Sequence, residues 1–84
     1  NTLIAKGLAH CKNQEYQRGI GLFSKCHNVL NQSLGLMPND RRLEQQLFIT
    51  LNHLGVAYCQ MKDLSNGTFY LELAAQRLRD VLKT

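Results

Sequence analysis

The sequence predicts an all-α protein of four helices arranged as two antiparallel helical hairpins. Apolar residues recur every three or four positions, and no stretch keeps the strict alternation of a half-buried strand. The segments between the apolar stripes are short, so consecutive helices are expected to be antiparallel neighbours. We expect helices near residues 2–12, 16–34, 40–61 and 66–83.

The apolar spacing supports each helix in turn. The first stripe is short, the second is broad, and the third is the clearest because it follows one helical face for five turns. The fourth repeats the same spacing near the end of the chain. In order, the stripes are Leu3, Ile4, Leu8 and Cys11; Ile20, Phe23, Val29, Leu30 and Leu34; Leu43, Leu47, Leu51, Leu54, Tyr58 and Met61; and Leu71, Ala74, Leu78 and Val81.

Residues that end and begin helices fall between these stripes. Gly35 can take a positive φ after a helix, and Pro38 cannot continue one. Asn39 and Asp40 then offer an N-cap and a negative charge near the positive end of the next helix dipole. The other two breaks are predicted at residues 12–15 and 62–66.

Composition and charge exclude several classes of function. Of the 84 residues, 44% are hydrophobic and 19% charged, which is typical of a globular domain. The net charge of +4 is spread along the chain without interleaved aromatic residues, so we expect no nucleic-acid surface. No apolar run reaches the roughly 18–20 residues of a membrane-spanning helix. Three cysteines without a CxxC pair indicate reduced thiols, and hence a cytoplasmic or nuclear protein.

The reactive side chains do not form a catalytic or metal-binding pattern. The acidic residues fall at predicted helix ends or on polar faces, so no pair lies on an apolar face to act as acid and base. The adjacent pairs His10–Cys11 and Cys26–His27 point about 100° apart on a helix and cannot converge on one ligand. We therefore predict a protein without enzymatic activity, catalytic residues, metal site or cofactor.

The two halves of the chain repeat at an offset of 48 residues. Small residues recur where two helices of a hairpin must approach closely, and large apolar residues recur where the space between them is filled. The matched pairs are Leu3 and Leu51, Gly7 and Gly55, Ala9 and Ala57, Cys11 and Cys59, Gly19 and Gly67, Phe23 and Leu71, Cys26 and Ala74, and Leu30 and Leu78. We therefore interpret the chain as one supersecondary unit built twice.

This pattern resembles tetratricopeptide repeats, which are helix–turn–helix units of about 34 residues. The resemblance covers residues 3–36 and 51–84, with residues 37–50 as a helix-extending insertion between the units. It is carried by Leu3, Gly7, Tyr16, Gly19, Phe23 and Cys26, and by Leu51, Leu54, Gly55, Tyr58, Gly67, Leu71 and Ala74. The first unit departs from the pattern at Lys6 and His10, where an apolar and an aromatic residue are usual. The resemblance implies a single domain over residues 1–84, built as a fragment of an α-solenoid in a long-helix variant.

The resemblance also implies a function. In tetratricopeptide proteins the first helix of each unit lines a groove that holds a peptide or helix of a partner, so we expect a non-enzymatic interaction module in a multi-subunit assembly. Because Ile4 and Leu8 occupy positions of the carboxylate clamp of chaperone-binding members, we do not expect that activity. The expected partner is an amphipathic helix or an extended apolar segment. The matching surface comprises Ile4, Leu8, Cys11, Lys12, Ile49, Asn52, Val56, Cys59 and Gln60.

Alternatives follow from other features. The triplets beginning at Asn31 and Asn66 read as glycosylation acceptors, which would suit a secreted four-helix bundle that acts as a ligand. The positive net charge leaves a small helical nucleic-acid binder as a further alternative. Since two units are few for a repeat protein, we expect neighbouring repeats, self-association or a covering partner. The start at Asn1, without a methionine or signal-like segment, suggests an excised or processed piece.

Overall fold

The computed structural model describes residues 2–82 and confirms the all-α fold class. Its helices are α1 (Thr2–Lys12), α2 (Tyr16–Leu36), α3 (Arg41–Gln60) and α4 (Leu64–Leu82), and no strand occurs within this range. The predicted helix end at 83, the end of the second unit at 84 and the side chain of Val81 lie outside the described part. None of the four described helices has the length and hydropathy that crossing a bilayer requires.

The helices pack in chain order, so that α1 lies on α2, α2 on α3 and α3 on α4. Contacts between Gly7 and Phe23 and between Cys11 and Gly19 show that α1 and α2 are antiparallel. The Cα atoms form a flattened body with principal-axis extents of 37 × 24 × 15 Å. Its long dimension exceeds the length of a 20-residue helix, which is about 30 Å.

The core lies mainly between α2, α3 and α4. Its fully buried members include Phe23 from α2 and Leu47, Leu51 and Leu54 from α3. Burial of each such side chain contributes about 1.5–3 kcal/mol. Thr50 is buried among them, donates its hydroxyl to the carbonyl oxygen of Gln46 at 2.8 Å, and lies 3.6 Å from the Cys26 sulfur. Its hydroxyl is therefore satisfied within the core.

Glycines allow the two helices of each hairpin to approach closely. A Cβ placed on Gly19 would lie 2.8 Å from the carbonyl oxygen of Gly7 on the facing helix. A Cβ on Gly67 would lie 3.0 Å from the carbonyl oxygen of Gly55, which is the corresponding pair of the second hairpin. Backbone therefore packs against backbone at both crossings, and the same residues at the 48-residue offset make both contacts.

The loops of the two hairpins also have matching geometry. Gln14 and Lys62, which are 48 positions apart, take the left-handed conformation with φ of 63° and 65°. The N–H of Glu15 donates to the carbonyl oxygen of His10 at 2.8 Å, and the N–H of Asp63 donates to that of Tyr58 at 2.9 Å. In each hairpin the chain therefore reverses through a left-handed residue at the equivalent position, followed by an equivalent backbone hydrogen bond.

The structure corrects the predicted end of α2. Gly35 lies inside the helix and takes no positive φ, and α2 continues to Leu36. Met37 instead has φ −133° and ψ 73°, and its N–H donates to the carbonyl oxygen of Ser33. Because the residue before a proline is pushed out of the helical region, Pro38 and not Gly35 ends α2.

Aspartates set the starts of α3 and α4. Asp40 accepts hydrogen bonds from the N–H groups of Arg42 and Leu43 at 2.9 and 3.3 Å, so it caps α3 as expected. Asp63 accepts from the N–H of Asn66 at 3.3 Å, and α4 therefore begins at Leu64, two residues before its predicted start.

Candidate functional site

A groove with a volume of about 190 Å³ lies between α1 and α3, with α2 beneath it. Its lining residues recur at helical spacing: α1 contributes three positions within one turn, and α3 contributes four positions over two turns. One aromatic residue from α2 completes the floor. The groove is lined by Leu8, Cys11, Lys12, Phe23, His53, Val56, Ala57 and Gln60.

The two walls of the groove are apolar and accessible. Leu8 on α1 and Val56 on α3 are 39% and 42% exposed, although each stands beside the buried core. They occupy equivalent positions of the two hairpins, 48 residues apart. Exposed apolar side chains on both sides of a concave surface are a feature of sites that bind another apolar group.

The floor of the groove is aromatic. The rings of Phe23 and His53 stack with centroids 5.5 Å apart and planes inclined by 18°. Burial lowers the pKa of His53 below its ordinary value of 6.5, so the neutral imidazole predominates at pH 7. The floor is therefore uncharged under physiological conditions.

The end of the groove at the last turn of α1 carries its polar groups. Burial raises the pKa of the Cys11 thiol, so this sulfur is protonated at neutral pH and is a poor nucleophile. Lys12 is exposed and, with His53 neutral, carries the single formal charge among the lining residues. Gln60 of α3 also lines the groove and adds an amide that can donate and accept hydrogen bonds.

Five of the nine residues proposed from the sequence line this groove: Leu8, Cys11, Lys12, Val56 and Gln60. The structure places the other four elsewhere. Ile4 belongs to the buried core, and Ile49 is half-buried against it. Asn52 is exposed but does not line the groove, and Cys59 packs against Gly67 of α4.

The position of Ile4 corrects the predicted surface. Its side chain is buried with residues of α2 and α3, because this end of α1 directs its apolar side into the protein. A partner in the groove cannot contact a core residue without displacing α1. We therefore remove Ile4 from the candidate surface.

Three lining residues were not assigned to the surface from the sequence: Phe23, His53 and Ala57. Phe23 fits the core pattern of α2, and nothing in its spacing shows that one side of its ring reaches a groove. His53 and Ala57 had a detectable signal, because they continue the helical stripe that contains Val56 and Gln60.

The remaining candidate chemistry is dispersed. No group of three or more His, Cys, Asp or Glu side chains within residues 2–82 is arranged to hold a metal ion. His10 lies 3.2 Å from Glu15, which also pairs with Arg18 at 3.3 Å, beside the loop between α1 and α2. Asn66 donates its side-chain amide to Asp63 at 2.8 Å, and Asn31 lies on the exposed side of α2.

Comparison of the chain with models of protein families, with curated protein sequences and with solved structures finds no significant match. The repeat lies within the chain itself, between its two hairpins. It comprises the glycine crossings, the left-handed loop residues and the exposed apolar pair Leu8 and Val56.

Proposed function

We propose that the protein is a non-enzymatic interaction module that binds a helix or an extended apolar segment of a partner protein within a multi-subunit assembly. The observation that carries the proposal is the pair of exposed apolar walls, Leu8 and Val56, on either side of an aromatic floor. We propose further that the two hairpins are degenerate tetratricopeptide repeats. The matched crossings and loops of the two hairpins support this relation.

The dimensions of the groove suit one large side chain. Apolar cavities of about 150 Å³ accommodate a benzene ring, so about 190 Å³ has room for a phenylalanine or leucine side chain. An anchoring side chain inserted between Leu8 and Val56 would contact the His53 ring that stacks on Phe23, and it would displace water from Leu8 and Val56. Burial of one such anchor contributes about 1.5–3 kcal/mol to binding.

The polar end of the groove can fix the orientation in which a partner segment binds. Lys12 can pair with an acidic residue that flanks the anchor, and Gln60 can bond to the exposed backbone of the bound segment. An exposed charge pair adds little affinity but favours one orientation of the segment. The preferred ligand is therefore an apolar anchor with an acidic residue close to it in sequence.

The reduced state of the cysteines supports a proposal about the cellular location of the protein. Cys11 and Cys59 form no disulfide, and each sulfur packs on a glycine of its own hairpin. We therefore propose a cytoplasmic or nuclear location, where thiols stay reduced.

The experiment that tests the proposed function uses defined peptides. A library of random 16-residue peptides displayed on phage is selected on the chain, and the enriched peptides are labelled for fluorescence anisotropy. We expect enrichment of one aromatic or leucine anchor next to an acidic residue. Leu8→Asp and Val56→Asp should weaken binding by at least about tenfold, because each places a charge against the apolar anchor.

Val29→Asp is the matched control, because Val29 is exposed to a similar extent in α2 and lies outside the groove. Its helix propensity changes in the same way as that of Val56→Asp. Circular dichroism should show the same helical content in all three variants. Selected peptides that bind the Val56→Asp and Leu8→Asp variants as tightly as the unmodified chain would contradict the groove assignment.

A further inference from the structure

One face of α4 carries a stripe of mostly exposed residues, here termed the α4 seam. Among its members Leu71 is half-buried, and its side chain packs against Gly55 of α3. Its members are spaced by four, three, four, three and four positions, which is the a/d pattern of a helix that packs against another helix. The two leucines nearest the C-terminal end are 42% and 76% exposed at positions 78 and 82. The α4 seam comprises Leu64, Thr68, Leu71, Ala75, Leu78 and Leu82.

The equivalent stripe of α2 is covered. At the 48-residue offset, Leu30 and Leu34 correspond to Leu78 and Leu82, and they are only 5% and 8% exposed. Phe23 corresponds to Leu71 and is fully buried under the His53 ring. The helix that covers this stripe is α3, which packs along α2.

The register between α2 and α3 shows what the covering helix supplies. Phe23 stacks on His53, and Cys26 lies against Thr50, so the two helices run antiparallel. Continuing this register along both helices places Leu47 opposite Leu30, and Leu43 opposite Leu34. The face of α3 that covers α2 therefore consists of two leucines four residues apart, followed by a small hydroxyl residue and an aromatic ring. In order, these are Leu43, Leu47, Thr50 and His53.

We propose that the α4 seam docks an amphipathic helix of a partner that carries the same pattern as α3 and runs antiparallel to α4. The internal repeat is the argument, because the same stripe is buried by such a helix one hairpin earlier in the chain. Leucines four residues apart in the partner cover Leu78 and Leu82. This surface lies on α4 and is separate from the groove between α1 and α3, so the two sites can be tested independently.

A second copy of the chain does not offer this helix through α1, although α1 is the counterpart of α3. The positions of α1 that match His53, Leu54 and Ala57 are Ala5, Lys6 and Ala9. These are small or charged, and Ala5, Lys6 and Ala9 are all exposed. Head-to-tail stacking through α1 would therefore place little apolar surface on the α4 seam.

The test titrates the chain into a labelled synthetic peptide of residues 40–60, which is α3 with its Asp40 cap. We expect saturable anisotropy with the unmodified chain. Leu78→Glu and Leu82→Glu should each weaken binding by at least about tenfold, and so should Leu43→Asp with Leu47→Asp in the peptide. Leu36→Glu is the matched control, because Leu36 is an exposed leucine at the end of α2, outside the seam.

Three results would overturn the proposal. One is peptide binding that the Leu82→Glu variant retains in full, and another is the absence of saturation at the highest soluble concentration. Leu82 lies at the end of α4, so its substitution leaves the fold intact even where Leu78→Glu does not, and circular dichroism checks this. The third is a concentration-dependent dimer in sedimentation velocity that Leu82→Glu abolishes and the peptide does not displace, since a second copy would then be the occupant.

Discussion

The two hairpins are built alike but differ in what surrounds them. Both cross at paired glycines, both turn through a left-handed residue, and both place an exposed apolar side chain on the wall of the groove. In the first hairpin, α3 lies over α2 and buries Leu30 and Leu34. In the second hairpin, the equivalent leucines at 78 and 82 face outward.

This difference shows that burial is set by the neighbouring helix and not by the residue or its helical position. The same leucine in the same place of the repeat contributes to the core in one hairpin and to an open surface in the other. Substitutions at matched positions therefore measure the contribution of the covering helix directly.

The largest expected effect is the difference in the free energy of unfolding between the Leu30→Ala and Leu78→Ala variants. Leu30 is buried, so its truncation leaves a cavity and should lower the free energy of unfolding by about 2–5 kcal/mol. Leu78 is partly exposed, and its truncation should cost about 1 kcal/mol. Urea denaturation followed by circular dichroism measures both. Equal losses would show that the two positions have equal environments in solution, contrary to the structure.

The next effect concerns the glycine crossings. Gly19→Ala and Gly67→Ala should each lower the free energy of unfolding by about 1–3 kcal/mol, because the new methyl group meets the backbone of the facing helix. Gly21→Ala and Gly35→Ala are the controls, since nothing lies within 4 Å of an added Cβ at either position. Both lie inside α2 and should stabilise the protein by about 0.5–1 kcal/mol. Thermal melts of the four variants test the contrast, which equal midpoints would contradict.

A smaller difference in the free energy of unfolding is expected between substitutions in the two hairpin loops. Asp63 caps α4, so Asp63→Ala should cost about 1 kcal/mol. Glu15 holds the equivalent position but makes no capping hydrogen bond and pairs with His10 and Arg18 instead. Glu15→Ala should therefore change the free energy of unfolding by less than about 0.5 kcal/mol. A larger loss for Glu15→Ala than for Asp63→Ala in the same urea titration would refute this difference between the loops.

The smallest effect is a pH dependence carried by the middle helices. Burial lowers the pKa of His53 on α3, and burial with the charge of Arg77 lowers that of His27 on α2. Below about pH 6.5 the unfolded chain binds protons that the folded chain does not, so stability should fall as the pH drops through that value. The matched positions of α1 and α4 are Ala5 and Ala75, which do not titrate.

Thermal midpoints measured between pH 7.5 and 5 test this dependence, and His53→Gln should flatten it. An unchanged pH profile in that variant would show that His53 does not cause the pH dependence of stability. NMR titration of the His27 ring should also show a higher pKa in Arg77→Gln, because a nearby positive charge disfavours the imidazolium.

The helices were predictable because each carries its own apolar stripe, and the core leucines of α3 at 47, 51 and 54 follow directly from that spacing. Helix ends were less predictable where two signals competed. Gly35 suggested an early end to α2, but a glycine within a helix costs only about 1 kcal/mol, whereas Pro38 imposes a steric limit on Met37. The start of α4 was predicted two residues late because Asp63 was assigned to the break at 62–66, whereas its carboxylate accepts from the N–H of Asn66 and caps the helix.

The groove was predictable in part. The resemblance to tetratricopeptide repeats implied a surface that includes Leu8, Lys12, Val56 and Gln60, and these four residues line the groove. The floor did not follow, because whether Phe23 and His53 stack beneath an open groove depends on the distance between α1 and α3. That distance is a property of the packed helices and not of either stripe alone. Ile4 was misplaced because its burial depends on how α1 packs on α2, which the spacing within α1 does not determine.

The contact of main chain with main chain at Gly19 and Gly67 has a consequence for how such a protein can diversify. Where the crossing of two helices depends on large side chains, each substitution at the contact tilts the framework. Here the spacing is set by peptide groups, which are the same in every variant, so Leu8, Lys12, Val56 and Gln60 can be exchanged while the architecture stays constant. A scaffold of this kind can acquire new ligand preferences through surface substitutions and still offer a rigid receptor that loses little entropy on binding.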